Sequence, residues 1–415
     1  MKVVRYLNNG STRISLVDKG WIPISYHSTI FLNISKSGSS TNTKQKIAYE
    51  LKFFLSWLKL KKIDLVERVE QGEYLSLAEC NAFNQAAKIR ADTVLSEKVS
   101  MMNPLSDKHL SNAIFAESIE RARVAPSVTN SRIITTVEYI DFISREVHGL
   151  GRTPDFVESN LNSTIDKLME GKRKHSSAAR ASKQAKRAES PIPNEIFYKF
   201  LDIINPESPE NPFKHSKLRN SLIIKILVVT GIRRGAVAKL KISDCVFTGD
   251  SNRIRITRTP DDKEDFRTVK PSQKTVQHTS YVDPELMGKI DYYISSKRSR
   301  YPESAKHEFV FISEMDSRGT DGDPLSLSSI NYLFKVLSRA INFNVHPHLL
   351  RHKWNEMFSE DTSDLSSEEA SSLRKYAMGW GRNSDMAELY NRFKMAQKVS
   401  EVQQKRQAEI MSRTT

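Results

Sequence analysis

The sequence predicts a mainly helical fold with one small antiparallel β-sheet, an α+β chain in two successive domains. Three observations carry this. Apolar residues recur at about 3.6-residue spacing, in Ile47, Leu51, Phe54, Leu55 and Leu58 and again in Ile133, Val137, Ile140 and Ile143. The period switches to two at Arg253-Ile254-Arg255-Ile256-Thr257-Arg258. Between the two helical regions, Gly171 to Arg187 holds seven Lys/Arg, no acid and almost no large apolar residue, so it cannot bury a core.

The composition supports real cores. Of 415 residues, 38% are hydrophobic and 8% aromatic, which excludes wholesale disorder. The net charge of +15 reads either as a solvated basic surface or as the mark of a polyanion partner, most simply nucleic acid. Two cysteines, Cys80 and Cys245, exclude a disulfide framework and a Cys-rich zinc site, and fit a reducing compartment. The densest apolar run, Leu222 to Val229, is interrupted by Lys225, and Met1 to Tyr6 lacks the apolar core of a signal peptide. A cytoplasmic protein with no membrane partner is expected.

Residues 1–40 read as an N-terminal extension that binds DNA separately or braces the helical domain after it. Within it, Trp21 to Tyr26 and Thr29 to Leu32 read as short extended pieces, and Ser35 to Thr43 as a polar linker ending in a helix cap. Residues 41–168 read as an all-helical domain. Its first helix carries the Ile47–Leu58 stripe, with Trp57 and neighbouring lysines on the remaining surface. Further helices are expected from Ser76 (cap, with Glu79 three residues on) to Ala87, over His109–Arg123 and over Ser131–Val147. Residues 169–191 form a basic linker. Lys172, Arg173, Lys174, Lys183, Lys186 and Arg187 there can neutralise phosphates, although an ordinary linker or a localisation signal would look the same. Residues 192–415 form the second domain. It has helices around Phe197 and Phe200 and over Leu218–Val229, the latter stopping at Thr230-Gly231. Strands are expected at Arg253–Arg258, Phe266–Lys270 and Thr275–Val282, with helices from Pro284 and over Ser326–Ile341. Glu360 to Glu369 reads as an acidic loop, and a terminal helix begins near Phe393.

Chemistry concentrates in Val345 to Trp354, which holds three histidines, an arginine and a lysine. On a helix His348 and Arg351 share a face. A fixed cation beside a neutral imidazole suits a phosphate oxygen. His348 and His352, four apart, raise a metal reading. Arg351 would place a cation against that metal and no cysteine completes the set, so no metal and no cofactor are expected.

Four signals stand in order: Thr230-Gly231-Ile232-Arg233, a lysine in a β-turn, His348-x-x-Arg351-His352, and Gly379-Trp380 with Tyr390 ten residues on. Together they resemble the tyrosine recombinase (phage integrase) family, at motif level over about 190–400. The resemblance extends more weakly to 41–168, which is similar to that family's helical core-binding domain. It implies catalytic roles for Arg233, Lys274, His348, Arg351, Trp380 and Tyr390 and support from His352; Arg234 reads as a surface residue or a DNA-backbone contact, and His346 as incidental. Lys274 fits the turn lysine best, with Lys263 and Lys270 as alternatives. Two departures are Ala236, where many members carry an acid, and a gap from Trp380 to Tyr390 one residue longer than usual. Tyr376 is the nearest rival nucleophile.

The resemblance implies site-specific recombination through a 3′-phosphotyrosine. A tyrosine hydroxyl, with a pKa of about 10, is a poor nucleophile unless its proton is accepted and its target polarised. Two arginines would clamp the phosphate, His348 would take or hold the tyrosine proton, a lysine would protonate the leaving 5′ oxygen, and Trp380 would donate its indole N–H. The implied partner is double-stranded DNA, gripped by two domains in a C-shaped clamp. The implied assembly is a homotetramer on paired sites, with a monomer or dimer when free. The segment Phe393 to Met411 packs on its own domain or is exchanged with a neighbour. Two rival functions are type IB topoisomerase-like relaxation and an inactive, DNA-binding regulator.

Overall fold

The computed structural model describes residues 1–8, 11–95, 123–149, 153–172, 192–316, 319–381, 383–384, 386–387, 403 and 406–407. The chain divides into two compact units, Met1–His175 and Ser176–Thr415.

The first unit opens with a hairpin absent from the sequence reading. Strands β1 (Lys2–Asn8) and β2 (Ser11–Val17) pair antiparallel from Lys2↔Val17 to Asn8↔Ser11. Thr29 to Leu32, expected to be extended, is helical. Ser25 caps α1 (Tyr26–Ile30), which runs into a π-helical turn, Phe31–Ser35. The Asn33 side chain then replaces a third strand. Its Oδ1 accepts from the Ile14 N–H at 3.0 Å and its Nδ2 donates to the Ile14 carbonyl at 2.7 Å. These bonds satisfy a buried backbone pair that the hairpin alone leaves open.

Helix α2 (Thr41–Lys61) is the centre of this unit. Around it lie α3 (Leu65–Glu70), α4 (Leu77–Ala86), α5 (Ala91–Leu95), α6 (Pro126–His148) and α7 (Asp155–Glu170). The Ser76–Glu79 capping box forms as the sequence reading expects. Helix α6 begins earlier than expected because Pro126 supplies a first turn that needs no donor there. Trp57 corrects the sequence reading: it is only 1% exposed, its ring packed edge-on against Phe83. A single apolar stripe implies one covered face, but α2 is packed by β2 as well as by α6. Ile14, Leu16, Phe31 and Leu32 share one core with Phe54, Trp57 and Ile140, so residues 11–35 brace the helices. The helix expected over His109–Arg123 lies outside the described residues, apart from Arg123.

In the second unit, α8 (Asn194–Ile203) and the deeply buried α9 (Lys217–Thr230) lead to Gly231 in the left-handed region, φ 60°. After the short α10 (Arg234–Ala238) come β3 (Cys245–Val246), β4 (Arg253–Ile256) and β5 (His278–Tyr281), an antiparallel sheet in that order. Phe266–Lys270, expected to be a strand, is loop, and Cys245–Val246 takes the third place instead. Phe266 and Val269 are half exposed, having no sheet face to bury them. Side chains hold the loop: Arg267 donates to the carbonyls of Ala238 at 2.8 Å and Leu325 at 2.7 Å, and pairs with Asp265 at 2.8 Å. The helices α11 (Pro284–Tyr292), α12 (Leu327–Ala340), α13 (Pro347–Asp361) and α14 (Ser367–Ala377) complete the unit. The expected acidic loop at Glu360–Glu369 is present but shorter, residues 362–366, because α13 runs to Asp361 and Ser366 and Glu369 form the capping box of α14. The expected terminal helix from Phe393 lies outside the described residues, apart from Gln403, Arg406 and Gln407, which are helical. Among the described residues, no helix is long and apolar enough to cross a membrane.

If the hairpin is integral to the first unit, Leu16→Ala lowers its unfolding free energy by about 2–5 kcal/mol. Urea denaturation measures this, and a change under about 0.5 kcal/mol would show the hairpin to be a detachable arm.

Candidate active site

Arg351 anchors the site. It lies on α13, whose N-cap is His346: the His346 Nδ1 accepts the Leu349 N–H at 3.1 Å. His346, read from the sequence as incidental, therefore fixes where this helix starts. The Arg351 side chain is 3% exposed. It donates to the Gly231 carbonyl at 2.7 Å and to the Met378 carbonyl at 3.3 Å, and lies 5.6 Å from the Trp380 ring centroid. Gly231 has to be glycine: a Cβ there would come within 2.8 Å of Trp354 and Met378. The Trp354 indole donates to the Val229 carbonyl at 3.0 Å, locking α13 onto the end of α9.

Arg233 stands two residues after Gly231 and is the N-cap of α10. Arg234 is half-buried and donates to Asn331 on α12; burial pushes its guanidinium pKa down. A Cβ on Gly235 would lie 2.4 Å from the Ser272 carbonyl oxygen, so this glycine lets the loop close on α10 immediately after the two arginines. Gln273 and Thr275 are buried, and Lys274 between them is exposed. Arg233, Arg234, Lys274, His348 and Arg351 thereby line one cleft of about 420 Å³, walled by Leu327 and Asn331. Lys263 and Lys270 do not line it, and the Lys270 ammonium donates to the Asp262 carbonyl at 2.8 Å.

The other sequence-predicted residues take varied positions. His352 lies against His348, ring centroids 4.5 Å apart. Lys353, which shares their motif, is buried and paired with Glu356 at 2.8 Å, away from the cleft. Trp380 is 8% exposed, in a small cluster with Met378 and Ala387. Tyr376 is 72% exposed at the end of α14. Lys172 closes the described part of the first unit. Tyr390, Arg173, Lys174, Lys183, Lys186 and Arg187 lie outside the described residues. No cluster of His, Cys, Asp and Glu among the described residues has the makings of a metal site. Burial raises the Cys80 thiol to about 11 and the Cys245 thiol to about 12, so neither supplies a thiolate near neutrality.

The sequence reading passed over His278. It opens β5, 8% exposed, against Gly379 and near the two arginines. Only its place four residues after Lys274 could have flagged it.

Three guanidiniums, an ammonium and two imidazoles around one small cleft make a receptor for a tetrahedral oxyanion, with a proton donor and an acceptor at hand. Residues 199–393 match the profile of the phage integrase family. No curated protein matches this chain at the sequence level. Among solved structures, it is similar to the XerH site-specific recombinase bound to difH substrate in a pre-cleavage complex, at 14% identity and a TM-score of 0.47, covering 89% of this chain and 93% of that one. The XerH post-cleavage complex with palindromic difH gives 14% identity and 0.48, covering 87% and 96%. The Tn1549 transposon integrase in complex with transposon right end DNA gives 12% and 0.41, covering 88% and 98%.

The geometry of the site makes two outcomes measurable. Gly235→Ala forces the Ser272 backbone away from α10. We expect a loss of about 1–3 kcal/mol in stability, measured by urea denaturation, and faster amide exchange around Lys274. Unchanged exchange would mean the loop is not seated by this contact. Burial also pushes the His278 and His307 imidazoles below the ordinary histidine value. The unfolded chain then binds their protons first. The stability they contribute is complete above pH of about 6.5 and is lost as pH falls toward their native values. Thermal unfolding of the second unit should shift down between about pH 7.5 and 5.5, and His278→Gln with His307→Gln should flatten that shift.

Proposed function

We propose that this chain is a site-specific DNA recombinase that cleaves and rejoins strands through a 3′-phosphotyrosine on Tyr390. The observation that carries the reading is the single cleft lined by Arg233, Lys274, His348 and Arg351, four groups drawn from three separate segments of the second unit. Arg233 and Arg351 hold the non-bridging oxygens of the scissile phosphate and stabilise the charge of the pentacoordinate transition state. His348 accepts the Tyr390 proton or holds the phosphate by a hydrogen bond, with His352 supporting its ring. Lys274 protonates the departing 5′ oxygen. The Trp380 indole N–H adds a donor to the phosphate. Attack by another strand's 5′-hydroxyl reverses the step and conserves the bond energy.

In the same reading, residues 41–168 form the core DNA-binding domain and 192–415 the catalytic domain, with 1–40 preceding them. Lys172, Arg173, Lys174, Lys183, Lys186 and Arg187 of the 169–191 linker neutralise backbone phosphates, and Arg234 makes a further contact. The active form is a homotetramer on paired duplex sites, coupled by exchange of the segment beyond Phe393, and acts in the cytoplasm, on the nucleoid if the cell is bacterial.

A nicked suicide substrate carrying the recombination site tests this. The wild-type chain traps a covalent complex and Tyr390→Phe traps none; equal trapping would sink the nucleophile assignment. Binding with no adduct on any nicked site would favour the regulator, and site-independent relaxation of supercoils the topoisomerase. Lys274→Ala should slow cleavage about 10²–10⁴-fold on a normal phosphodiester. It should recover when sulfur replaces the 5′ bridging oxygen, because a thiolate leaves without protonation. Recovery shown instead by Lys263→Ala or Lys270→Ala would move the acid.

A further inference from the structure

Among the described residues, one ring nitrogen of His278 has no hydrogen-bond partner. Its Nδ1 lies 2.9 Å from the Val276 carbonyl, which can only accept, so Nδ1 carries the proton. That tautomer leaves a lone pair on Nε2, which is buried and accepts no hydrogen bond. The ring cannot turn away. It lies on the Cα of Gly379, where a Cβ would stand 2.2 Å from Nδ1 and 2.7 Å from Cε1, and Gly379 takes the left-handed φ of 59°. The Val276 N–H donates to the Gly379 carbonyl at 2.8 Å, closing the clamp from the other side.

The surroundings decide what the lone pair meets. Met378, Gly379 and Trp380 bring no charge, and the charged groups acting on the ring are Arg351 from α13 and Arg233 from the segment after α9. Both disfavour protonation, as does burial, so the imidazole stays neutral at physiological pH. Guanidiniums are donors without acceptors. Among the described residues nothing pairs with this acceptor, which lies beside Gly379, next in the chain to the Met378 carbonyl that takes Arg351, and it is placed to join the phosphate clamp.

We propose that His278 is a positioning residue of this active site: its Nε2 accepts an N–H of the Arg351–Arg233 pair when a phosphodiester enters, setting the guanidinium planes for the transition state. The proposal rests on the recombinase reading. It assigns the residue a role distinct from the six groups named for the chemistry, because it acts through the arginines.

Two substitutions separate this role from a scaffold role. His278→Asn keeps a donor for the Val276 carbonyl but has nothing at the Nε2 position. His278→Gln reaches that position with an acceptor oxygen and gives up the Val276 bond. Single-turnover cleavage of the nicked substrate is measured at saturating protein, with duplex binding and thermal unfolding alongside. We expect His278→Asn to cleave about tenfold more slowly than wild type, with binding within about twofold, and His278→Gln to stay within about threefold. The reverse order would mean that His278 only holds the Val276 loop, and equal rates in all three proteins, or equal losses in both variants, would also overturn the proposal. If wild type itself forms no covalent complex while Tyr390→Phe binds DNA equally well, the recombinase reading fails first; if wild type cleaves and the two variants are misordered, only the His278 assignment fails.

Discussion

The second unit is organised around one buried cation. Taking the Arg351 guanidinium out of water is unfavourable unless acceptors meet it. The backbone carbonyls of Gly231 and Met378 do so, and they come from distant parts of the chain. Placing them imposes conditions on both flanks. Gly231 must sit in the left-handed region with no Cβ against Trp354, and α13 must dock on α9 through the Trp354 indole. On the other flank, Gly379 turns the chain directly after Met378, and its own missing Cβ admits His278. Thr-Gly-Ile-Arg, His-x-x-Arg and Gly-Trp are thus three sides of one polar contact.

The identity of those acceptors matters to the chemistry. A carboxylate partner would neutralise Arg351 before any ligand arrived. Carbonyl dipoles hold the guanidinium in place without cancelling its charge. Ala236, 5% exposed in the main core, likewise offers no carboxylate near Arg233. The cleft gathers Arg233, Arg234, Lys274 and Arg351, in a chain already carrying a charge of +15. A site of this sign attracts phosphates from a distance and penalises protonation of neighbouring imidazoles, the direction in which His278 is shifted.

What could be read from the sequence was whatever depends on short-range pattern. Helix faces, the glycine stop after α9 and the His348–Arg351 spacing all derive from local geometry, and each appears as expected. The failures are places where distant partners decide. Trp57 is buried because a hairpin that the reading missed covers a second face of α2. Thr29 to Leu32 is helical because Asn33 serves Ile14 through its side chain, and nothing in the run itself announces that bond. Phe266–Lys270 has the composition of a strand but no neighbour to pair with, and Arg267 ties it to Ala238 and Leu325 instead. Lys274 could be ranked among three lysines by the strand after it, whereas its entry into the cleft depends on Gly235, about forty residues earlier.

The cleft thereby combines two kinds of placement, and in the proposed mechanism the difference suits the two tasks of a phosphoryl transfer. Arg351 is immobilised on both sides, as a group must be if it is to stabilise charge without reorganising when the charge develops. Lys274 is exposed on a backbone pinned by its buried neighbours Gln273 and Thr275. Its root is fixed while its four-carbon stem and ammonium remain able to follow a departing oxygen. An arginine at that position would present a rigid fork and no readily lost proton; a lysine on a mobile loop would seldom be in reach. The packing of the 257–277 loop against α10 and the start of α12 meets both requirements, which gives a physical reason for so many side-chain ties in a segment without regular structure.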